Sequence, residues 1–363
     1  MLAAAKLINV QTNNLMNIQK ETVQSQKGEI ALYTLTNASG ASVKLSAVGA
    51  GVVSVVVPDA NGHMDDVVLG YANAADYFYD GPCAGKVPGR YANRIAKGQF
   101  SLDGVQYQLA INNGPNALHG GPECFAQKIW NSEPTADGVI FTLSSPDGDE
   151  NYPGNLEVSA QYSWNDACEL KLVLKATTDK KTVVNLTNHT YWNLDGENSG
   201  SALNQKMWLA CSHYLPTDDT LIPSGEIAPV AGTPMDFTTE KVIGTDIKQD
   251  FPALVYGKGY DNCWVVDGWQ KGVLKKVAML TSDKSGRVLE VSTTQPAAQV
   301  YTGNWLAGSP ANKGGGRSYE DYEGVAIECQ GMPDAPNHDN FPCQVLDKGE
   351  QYEQTIIFAL KVK

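Results

Sequence analysis

The sequence has few charged residues and no apolar run long enough to cross a membrane. Asp, Glu, Lys and Arg make up only 18% of its 363 residues, whereas hydrophobic residues make up 42%. A low charge content together with 35 glycines is typical of many short strands joined by turns. No basic stretch followed by a long apolar one marks a secretion signal. We therefore expect a cytoplasmic protein without membrane partners, or a periplasmic or secreted one if a signal peptide was removed before residue 1.

Cysteine pairs with metal-binding spacing are also absent. The seven cysteines are scattered along the chain, and no two of them form a C-x-x-C pair. A structural zinc site is therefore not expected, and the odd number in so long a chain favours free thiols over a disulfide framework. The Gly-rich segment 314–317 lacks the Gly-Lys-Ser/Thr ending of a phosphate loop. We predict neither a metal nor a cofactor.

Positive charge is in deficit, because the formal net charge is −13 at pH 7. An acidic surface repels the phosphate backbone of nucleic acids and the surface of anionic membranes. Nucleic acid and membrane partners are therefore not expected. A neutral small molecule is indifferent to this charge.

The sequence is rich in alternating apolar and polar residues. Period-two alternation predicts a half-buried strand. It is clearest over residues 156–164, and it recurs at 170–176, 352–362, 43–57 and 288–294. Turn-forming Asp-Gly pairs separate these runs, and no long helical period lies between them. The pattern predicts an all-β fold, a large antiparallel β-sandwich.

No Pro/Ser-rich linker, charge block or repeat divides the chain. Residues 1–27 are polar and weakly patterned, so we predict an N-terminal tail or short extra segment there, with a short helix as the alternative. Residues 28–363 are predicted to form a single domain.

Two polar residues lie in stretches that predict burial. Asn185, Thr187, His189 and Tyr191 alternate onto one face of a predicted strand, and a polar face is costly to bury unless it lines a wet cleft. Glu328 is set among apolar neighbours, where desolvation would raise its pKa towards that of a useful base. Taken alone, such a His is more often structural and such a Glu an ordinary surface carboxylate. As a pair they could exchange protons with a substrate near neutral pH.

Three motifs together resemble those of the aldose 1-epimerases, or mutarotases, which interconvert the α and β anomers of free sugars in hexose and galactose metabolism. They are Gly89-Arg90-Tyr91-Ala92-Asn93-Arg94-Ile95-Ala96-Lys97-Gly98 followed by Leu118-His119-Gly120-Gly121, Asn188-His189-Thr190-Tyr191, and Glu328-Cys329-Gln330-Gly331-Met332-Pro333-Asp334. The resemblance runs from about residue 28 to the C-terminus. It implies a galactose mutarotase-like supersandwich with the active site in a cleft on one broad face.

The resemblance also implies roles for particular residues. Glu328 would be the base and His189 the acid that open and reclose the sugar ring, and a His pKa near 6.5 would suit both directions of transfer. Contacts to the sugar would come from Asn93, Arg94, His119, Asp261 and Gln299. Family members often have Gly where Ala297 stands, which could alter the turn before Gln299.

Two other functions remain open from the sequence. A glycoside hydrolase would need two paired carboxylates, and Asp261 is the one other acid in a motif. A non-catalytic sugar-binding module would need stacking aromatics, for which Trp192, Trp264 and Trp305 are candidates. A relative that acts on hexose 6-phosphates would need a basic cluster, which the sequence does not show. Neither the preferred aldose nor the choice between a monomer and a homodimer follows from the sequence.

Overall fold

The computed structural model describes residues 8–10 and 16–363. Strands dominate this part of the chain, and one short α-helix, Pro252–Gly257, accompanies them. Six 3-10 helices lie in the connections, at Ala74–Phe78, Ala96–Gly98, Phe125–Gln127, Asp149–Asn151, Ile243–Thr245 and Ala335–Asn337. Among the described residues, no helix has the length and apolar character needed to cross a membrane.

The largest sheet has nine strands. In spatial order they are Asn131–Pro134, Gly138–Ser145, Leu156–Trp164, Glu169–Thr178, Gln351–Val362, Arg287–Thr293, Lys275–Thr281, Lys206–Leu209 and Lys241–Val242. Neighbouring strands run antiparallel throughout. The period-two prediction is confirmed here, since alternate residues of Leu156–Trp164 are buried from Leu156 to Trp164.

Two six-stranded antiparallel sheets complete the sandwich. The first has the order Ile8–Val10, Asn17–Ser25, Gly28–Thr36, Ser42–Ser46, Gly51–Pro58 and Met64–Asp66. The second has the order Tyr191–Trp192, Val325–Gln330, Ala297–Tyr301, Asp261–Val265, His213–Tyr214 and Ala228–Pro229. Three two-stranded ribbons pair Arg94–Ile95 with Ala117–Leu118, Gln99–Leu102 with Val105–Gln108, and Thr182–Val183 with Val345–Leu346.

One hydrophobic core joins the three large sheets. Val43 and Val55 enter it from the first six-stranded sheet, Leu172 from the nine-stranded sheet, and Val300 and Ile327 from the second six-stranded sheet. Removing this much apolar surface from water is the main stabilising contribution to the sandwich. The all-β, antiparallel sandwich predicted from the sequence is therefore confirmed.

Two stretches differ from the prediction in detail. The expected strand over 43–57 is two strands, because residues 47–50 form a turn between Ser42–Ser46 and Gly51–Pro58. The expected tail or helix at 1–27 contains the strand Asn17–Ser25, which pairs along its length with Gly28–Thr36. Its alternation is weak because Ile18 is its one fully buried residue. Residues 1–7 and 11–15 lie outside the described residues, and a single domain over 28–363 stays a proposal.

Candidate active site

The second six-stranded sheet separates the hydrophobic core from a polar face. Along Val325–Gln330, Val325, Ile327 and Cys329 pack in the core, so the alternation of a strand directs Glu328 to the opposite face. Gln299 is the direct cross-strand partner of Glu328. The next strand presents Asp261 opposite Tyr301. The face therefore collects polar side chains from three adjacent strands.

The segment that carries His189 is extended, but it is not the strand that the sequence predicted. Strand pairing stops after Thr182–Val183 and resumes at Tyr191–Trp192. In between, the backbone of Asn185 and His189 bonds to residues 85–92, and on the side of Val325–Gln330 side chains make the contacts. Asn185 exchanges hydrogen bonds with the backbone of Gly331, and Thr187 Oγ1 donates to the carbonyl of Cys329. Asn185 and Thr187 are fully buried and do not line a cleft. The polar face therefore fixes the segment to the neighbouring strand, and His189 and Tyr191 alone reach the cavity.

His189 and Glu328 form a buried pair. His189 Nε2 lies 3.4 Å from Glu328 Oε1, and the side chains are only 6% and 2% exposed. The rings of Tyr191 and Tyr301 lie 4.9 Å and 6.3 Å from the imidazole and exclude water around it. His189 Nδ1 and Glu328 Oε2 have no hydrogen-bond partner among the described residues. Each group therefore has a buried polar atom that the described residues leave unsatisfied.

Burial moves the two pKa values in opposite directions because it disfavours the charged form of each group. It raises the pKa of Glu328 well above its ordinary value, with Asp261 adding to the effect and Arg94 opposing it. It lowers the pKa of His189 to about 4, and the positive charge of Lys86 contributes. The expected His189 pKa near 6.5 is therefore wrong for this buried site. The expected rise for Glu328 agrees with the structure.

His119 and Asn93 form a tight loop next to the pair. The backbone N–H of Asn93 donates to His119 Nδ1 at 3.1 Å, and the His119 ring lies 5.3 Å from that of His189. Both Asn93 and His119 have a positive φ, of 65° and 55°. Residues other than glycine rarely adopt this conformation unless the surrounding structure holds them in it. Because Nδ1 accepts, Nε2 carries the proton of the neutral ring and is a hydrogen-bond donor.

His119, His189 and Glu328 lie close enough together to be considered as a metal site. One ligand atom from each of His119, His189 and Glu328 lies within 4.8 Å of the others. A metal ligand must offer a lone pair, however, and the Asn93 N–H on Nδ1 leaves His119 with a protonated Nε2. Burial also lowers the pKa of His119 and keeps the ring neutral. The residues fit a neutral hydroxyl-bearing ligand better than a cation.

Arg94 and Asp261 line the cavity and are connected to the buried Gln299. Gln299 Nε2 donates to Asp261 Oδ1 at 2.7 Å, and Arg94 NH2 lies 3.7 Å from Asp261 Oδ2. Arg94 Nε donates to Asn113 Oδ1 at 3.1 Å. Both oxygens of Asp261 therefore face positively charged or N–H donor groups.

A cavity of about 700 Å³ unites these residues. Six of the seven predicted site residues line it, namely Asn93, Arg94, His119, His189, Asp261 and Glu328. Gln299 is buried and is not among the lining residues; it contacts Asp261 instead. Of the three tryptophans considered for stacking, Trp305 lines the cavity, whereas Trp192 and Trp264 are buried in the core.

Several cavity residues were not found from the sequence. Tyr301 packs against His189 and stands two positions after Gln299, so strand alternation could have indicated it, as it did place Tyr191 on the face of His189. Tyr79 and Tyr256 line the outer wall, and no pattern in the sequence pointed to them.

Comparison with known proteins agrees with this geometry. The aldose 1-epimerase family model matches residues 31–359. Galactose mutarotase from Bos taurus is 41% identical over 314 residues, which are 86% of this chain and 89% of that protein. Aldose 1-epimerase from Escherichia coli K12 is 39% identical over 326 residues, 88% of this chain and 92% of that protein.

A solved structure agrees in the same way. Galactose 1-epimerase from Lactobacillus acidophilus superposes with a TM-score of 0.82 at 27% identity, covering 99% of both chains. The family match extends over most of the described sandwich and includes every residue of the site built above. The chain therefore belongs to the aldose 1-epimerase family.

Proposed function

We propose that the protein is an aldose 1-epimerase, an isomerase that interconverts the α and β anomers of free aldohexoses such as glucose and galactose. The observation that carries the proposal is the buried contact of 3.4 Å between His189 Nε2 and Glu328 Oε1 at the wall of a cavity. The cavity is lined mainly by groups suited to sugar hydroxyls. An acid and a base that face one ligand are what anomer exchange requires.

The reaction breaks and re-forms the bond between C1 and the ring oxygen. Glu328 removes the proton of the C1 hydroxyl while His189 delivers a proton to the ring oxygen, so that the C1–oxygen bond breaks and a free aldehyde forms. Rotation about C1–C2 turns the other face of the carbonyl towards the ring hydroxyl. Reclosure returns one proton to His189 and takes the other from Glu328, which restores the starting state.

The opposite pKa shifts disfavour the starting distribution, protonated His189 with ionised Glu328, but they still leave the pair with the single proton that the cycle needs. Burial of the unliganded pair favours neutral His189 with protonated Glu328. This is the proton distribution that follows ring opening. Arg94 lowers the pKa of Glu328 and so favours the distribution in which Glu328 starts as the base. In a coupled pair the total number of bound protons, rather than either single pKa, sets the active form.

The remaining polar groups suit a sugar-binding role. Arg94 presents a planar fork that can donate to two oxygens at once. Asp261, held by Gln299, can accept hydrogen bonds from hydroxyls, and His119 Nε2 can donate one. Asn93 completes the set by fixing the His119 ring. Gln299 acts behind Asp261.

The two rival functions have weaker support. A glycoside hydrolase needs a carboxylic acid opposite a carboxylate, but His189 rather than a second carboxylate lies beside Glu328, and Gln299 and Arg94 already contact the two oxygens of Asp261. A binding module without catalysis has no use for two buried groups whose pKa values are displaced in opposite directions.

Polarimetry tests the proposal directly. EDTA-treated protein should accelerate the change of optical rotation of freshly dissolved α-D-glucose or α-D-galactose without metal or nucleotide. Glu328→Gln protein is the matched control for non-specific catalysis. Relaxation at the buffer rate for every common aldose would contradict the proposal, and release of the chromophore from an aryl glycoside would favour the hydrolase.

The state of the cysteines indicates the compartment in which the protein acts. All seven cysteines lie in the described part of the structure and are free thiols. Free thiols suit a reducing compartment, so we propose a cytoplasmic setting. We also propose that the protein is a monomer or homodimer whose ligand is a small neutral sugar.

A further inference from the structure

A buried ion pair lies directly behind the acid–base pair. The side chains of Lys86 and Asp80 are both completely inaccessible to solvent. Lys86 Nζ donates to Asp80 Oδ1 and to the carbonyl oxygen of Tyr77. The other oxygen of Asp80 accepts the backbone N–H of Ala84 at 2.7 Å. The pair is therefore fully enclosed and tied to the backbone on both sides.

The backbone of the same lysine holds His189. The N–H of His189 donates to the carbonyl of Lys86, and the N–H of Gly85 donates to the carbonyl of His189, both at 2.9 Å. Asn188 Nδ2 adds a third bond, to the carbonyl of Gly85, at 2.7 Å. These bonds hold the backbone of His189 in place against residues 85 and 86.

The side chain of Lys86 pairs with Asp80, in the segment 79–82 that contributes to the cavity wall. Tyr79, Gly81 and Pro82 line that wall, and Asp80 lies among them in sequence. The hydroxyl of Tyr191, whose ring packs on His189, donates to the carbonyl of Pro82 at 2.8 Å. One residue therefore connects the wall at 79–82 with the backbone of the acid–base histidine.

Stability alone does not explain a charged pair at this place. The desolvation of two buried charges commonly offsets their mutual attraction, and an apolar pair of similar volume often stabilises a fold as well. What an apolar pair cannot supply is a fixed positive charge near the imidazole. The positive charge of Lys86 lowers the pKa of both His189 and His119.

We propose that Lys86 is a positioning residue for the acid–base pair: its ion pair with Asp80 joins the segment 79–82 at the cavity to the backbone of His189. The positive charge of Lys86, which lowers the pKa of His189, supports this role. The inference rests on the proposed function only where activity is the readout. The groups that face His189 are Glu328, His119, Tyr191, Tyr301 and Lys86. Arg94 and Asp261 act on Glu328.

The test replaces the ion pair by a neutral one and measures protonation. In the double variant Lys86→Met with Asp80→Asn, both limbs of the pH profile of kcat/KM should move to higher pH. A positive charge disfavours every proton that the pair binds, so its loss lets the pair keep its protons longer. The shift should be about 0.5–1 pH unit, below the 1–3 units of a charge in direct contact. Lys86→Arg, which keeps the charge, should leave the limbs in place.

Histidine ring NMR provides a readout that does not depend on activity. The chain has five histidines, and the His189 signal is identified by its loss in His189→Asn. Its titration midpoint should rise in the double variant by a similar amount. If the wild-type protein did not act on sugars, the proposed function would fail, whereas the NMR titration would still decide the role of Lys86.

Lys313 is a matched control. Its ammonium also pairs with one carboxylate, that of Asp66 at 2.6 Å, and donates to one carbonyl, that of Val53 at 2.5 Å. Lys313→Met with Asp66→Asn should leave the limbs and the His189 midpoint unchanged. Unmoved limbs and midpoint in a folded Lys86 variant would overturn the proposal. If the Met/Asn pair does not fold, Lys86→Gln with Asp80→Asn, an amide pair that can still hydrogen-bond, decides in the same way.

Discussion

Gln299 stands directly opposite Glu328 on the adjacent strand, and its amide holds Asp261 at 2.7 Å. The proposed base and the proposed sugar-binding carboxylate are therefore linked through one residue, by strand register to Glu328 and by a side-chain hydrogen bond to Asp261. A sugar bound by Asp261 is thereby placed at a fixed distance from Glu328, which is the condition for an efficient proton transfer.

The first prediction concerns the acid–base pair. Glu328→Gln and His189→Asn should each reduce turnover by about 10²-fold or more, the usual loss when a general acid or base is removed. Each substitution is close in size to the original residue, so the circular dichroism spectrum should stay that of the wild-type protein. Wild-type turnover in a folded variant would remove that residue from the mechanism.

The same Glu328→Gln change should stabilise the protein at neutral and higher pH. The pKa of Glu328 is raised above 4.5 in the folded state, so the unfolded chain loses this proton first as the pH rises. The stability that the protonated form contributes is therefore complete below about pH 4.5 and is lost as the pH rises through the folded pKa. Gln does not ionise. At pH 8 the variant should exceed the wild type by about 1–3 kcal/mol in unfolding free energy.

Denaturant unfolding at a series of pH values provides the measurement. The difference between the variant and the wild type should shrink towards zero at pH 4.5. Glu226 provides the control, because its side chain is exposed and forms no ion pair with another described residue. Glu226→Gln should show no such pH-dependent gain. A variant that is less stable at pH 8 than at pH 4.5, relative to wild type, would show that Glu328 is compensated in the fold.

The third prediction concerns sugar binding. Arg94→Ala and Asp261→Ala should raise KM by roughly ten- to a hundredfold, because a charged hydrogen bond to a ligand is worth about 1.5–3 kcal/mol. An interaction made equally in the ground and transition states changes KM and spares kcat. Steady-state kinetics over a range of sugar concentrations separates the two constants. An unchanged KM with a collapsed kcat would place that residue in the chemical step.

A fourth prediction tests the position of Gln299 behind Asp261. Gln299→Leu should raise KM less than Asp261→Ala does, since its amide contacts Asp261 and not the cavity. In the double variant the two effects should not add, because most of the Gln299 contribution passes through Asp261. A double-mutant cycle on KM measures this coupling. Strict additivity would instead indicate that Gln299 contacts the sugar independently.

The sandwich was predictable because its strands obey one local rule. Leu156–Trp164 is apolar at every second position and lies in the nine-stranded sheet as expected. The rule was insufficient for Asn17–Ser25, where a single residue is fully buried and pairing with the next strand supplies the order. Local periodicity does not report hydrogen bonds made to a distant strand.

The residues of the site could be predicted from the sequence, but their burial and pKa values could not. Motif resemblance identified six residues that line the cavity, and alternation alone could not distinguish the buried Asn185 and Thr187 from His189. The lowered pKa of His189 and the burial of the Lys86–Asp80 ion pair were not predicted either. Both follow from burial, which depends on how segments distant in sequence pack together.

The strand Val325–Gln330 divides two environments, with Ile327 in the core and Glu328 at the cavity. A slip of its pairing by one residue would exchange the two faces, leaving a carboxylate in the core and an isoleucine at the cavity. Such a misfolded chain would be both unstable and inactive. Catalytic competence therefore reports on correct strand registration, and recovery of activity after dilution from denaturant would follow the formation of this native pairing.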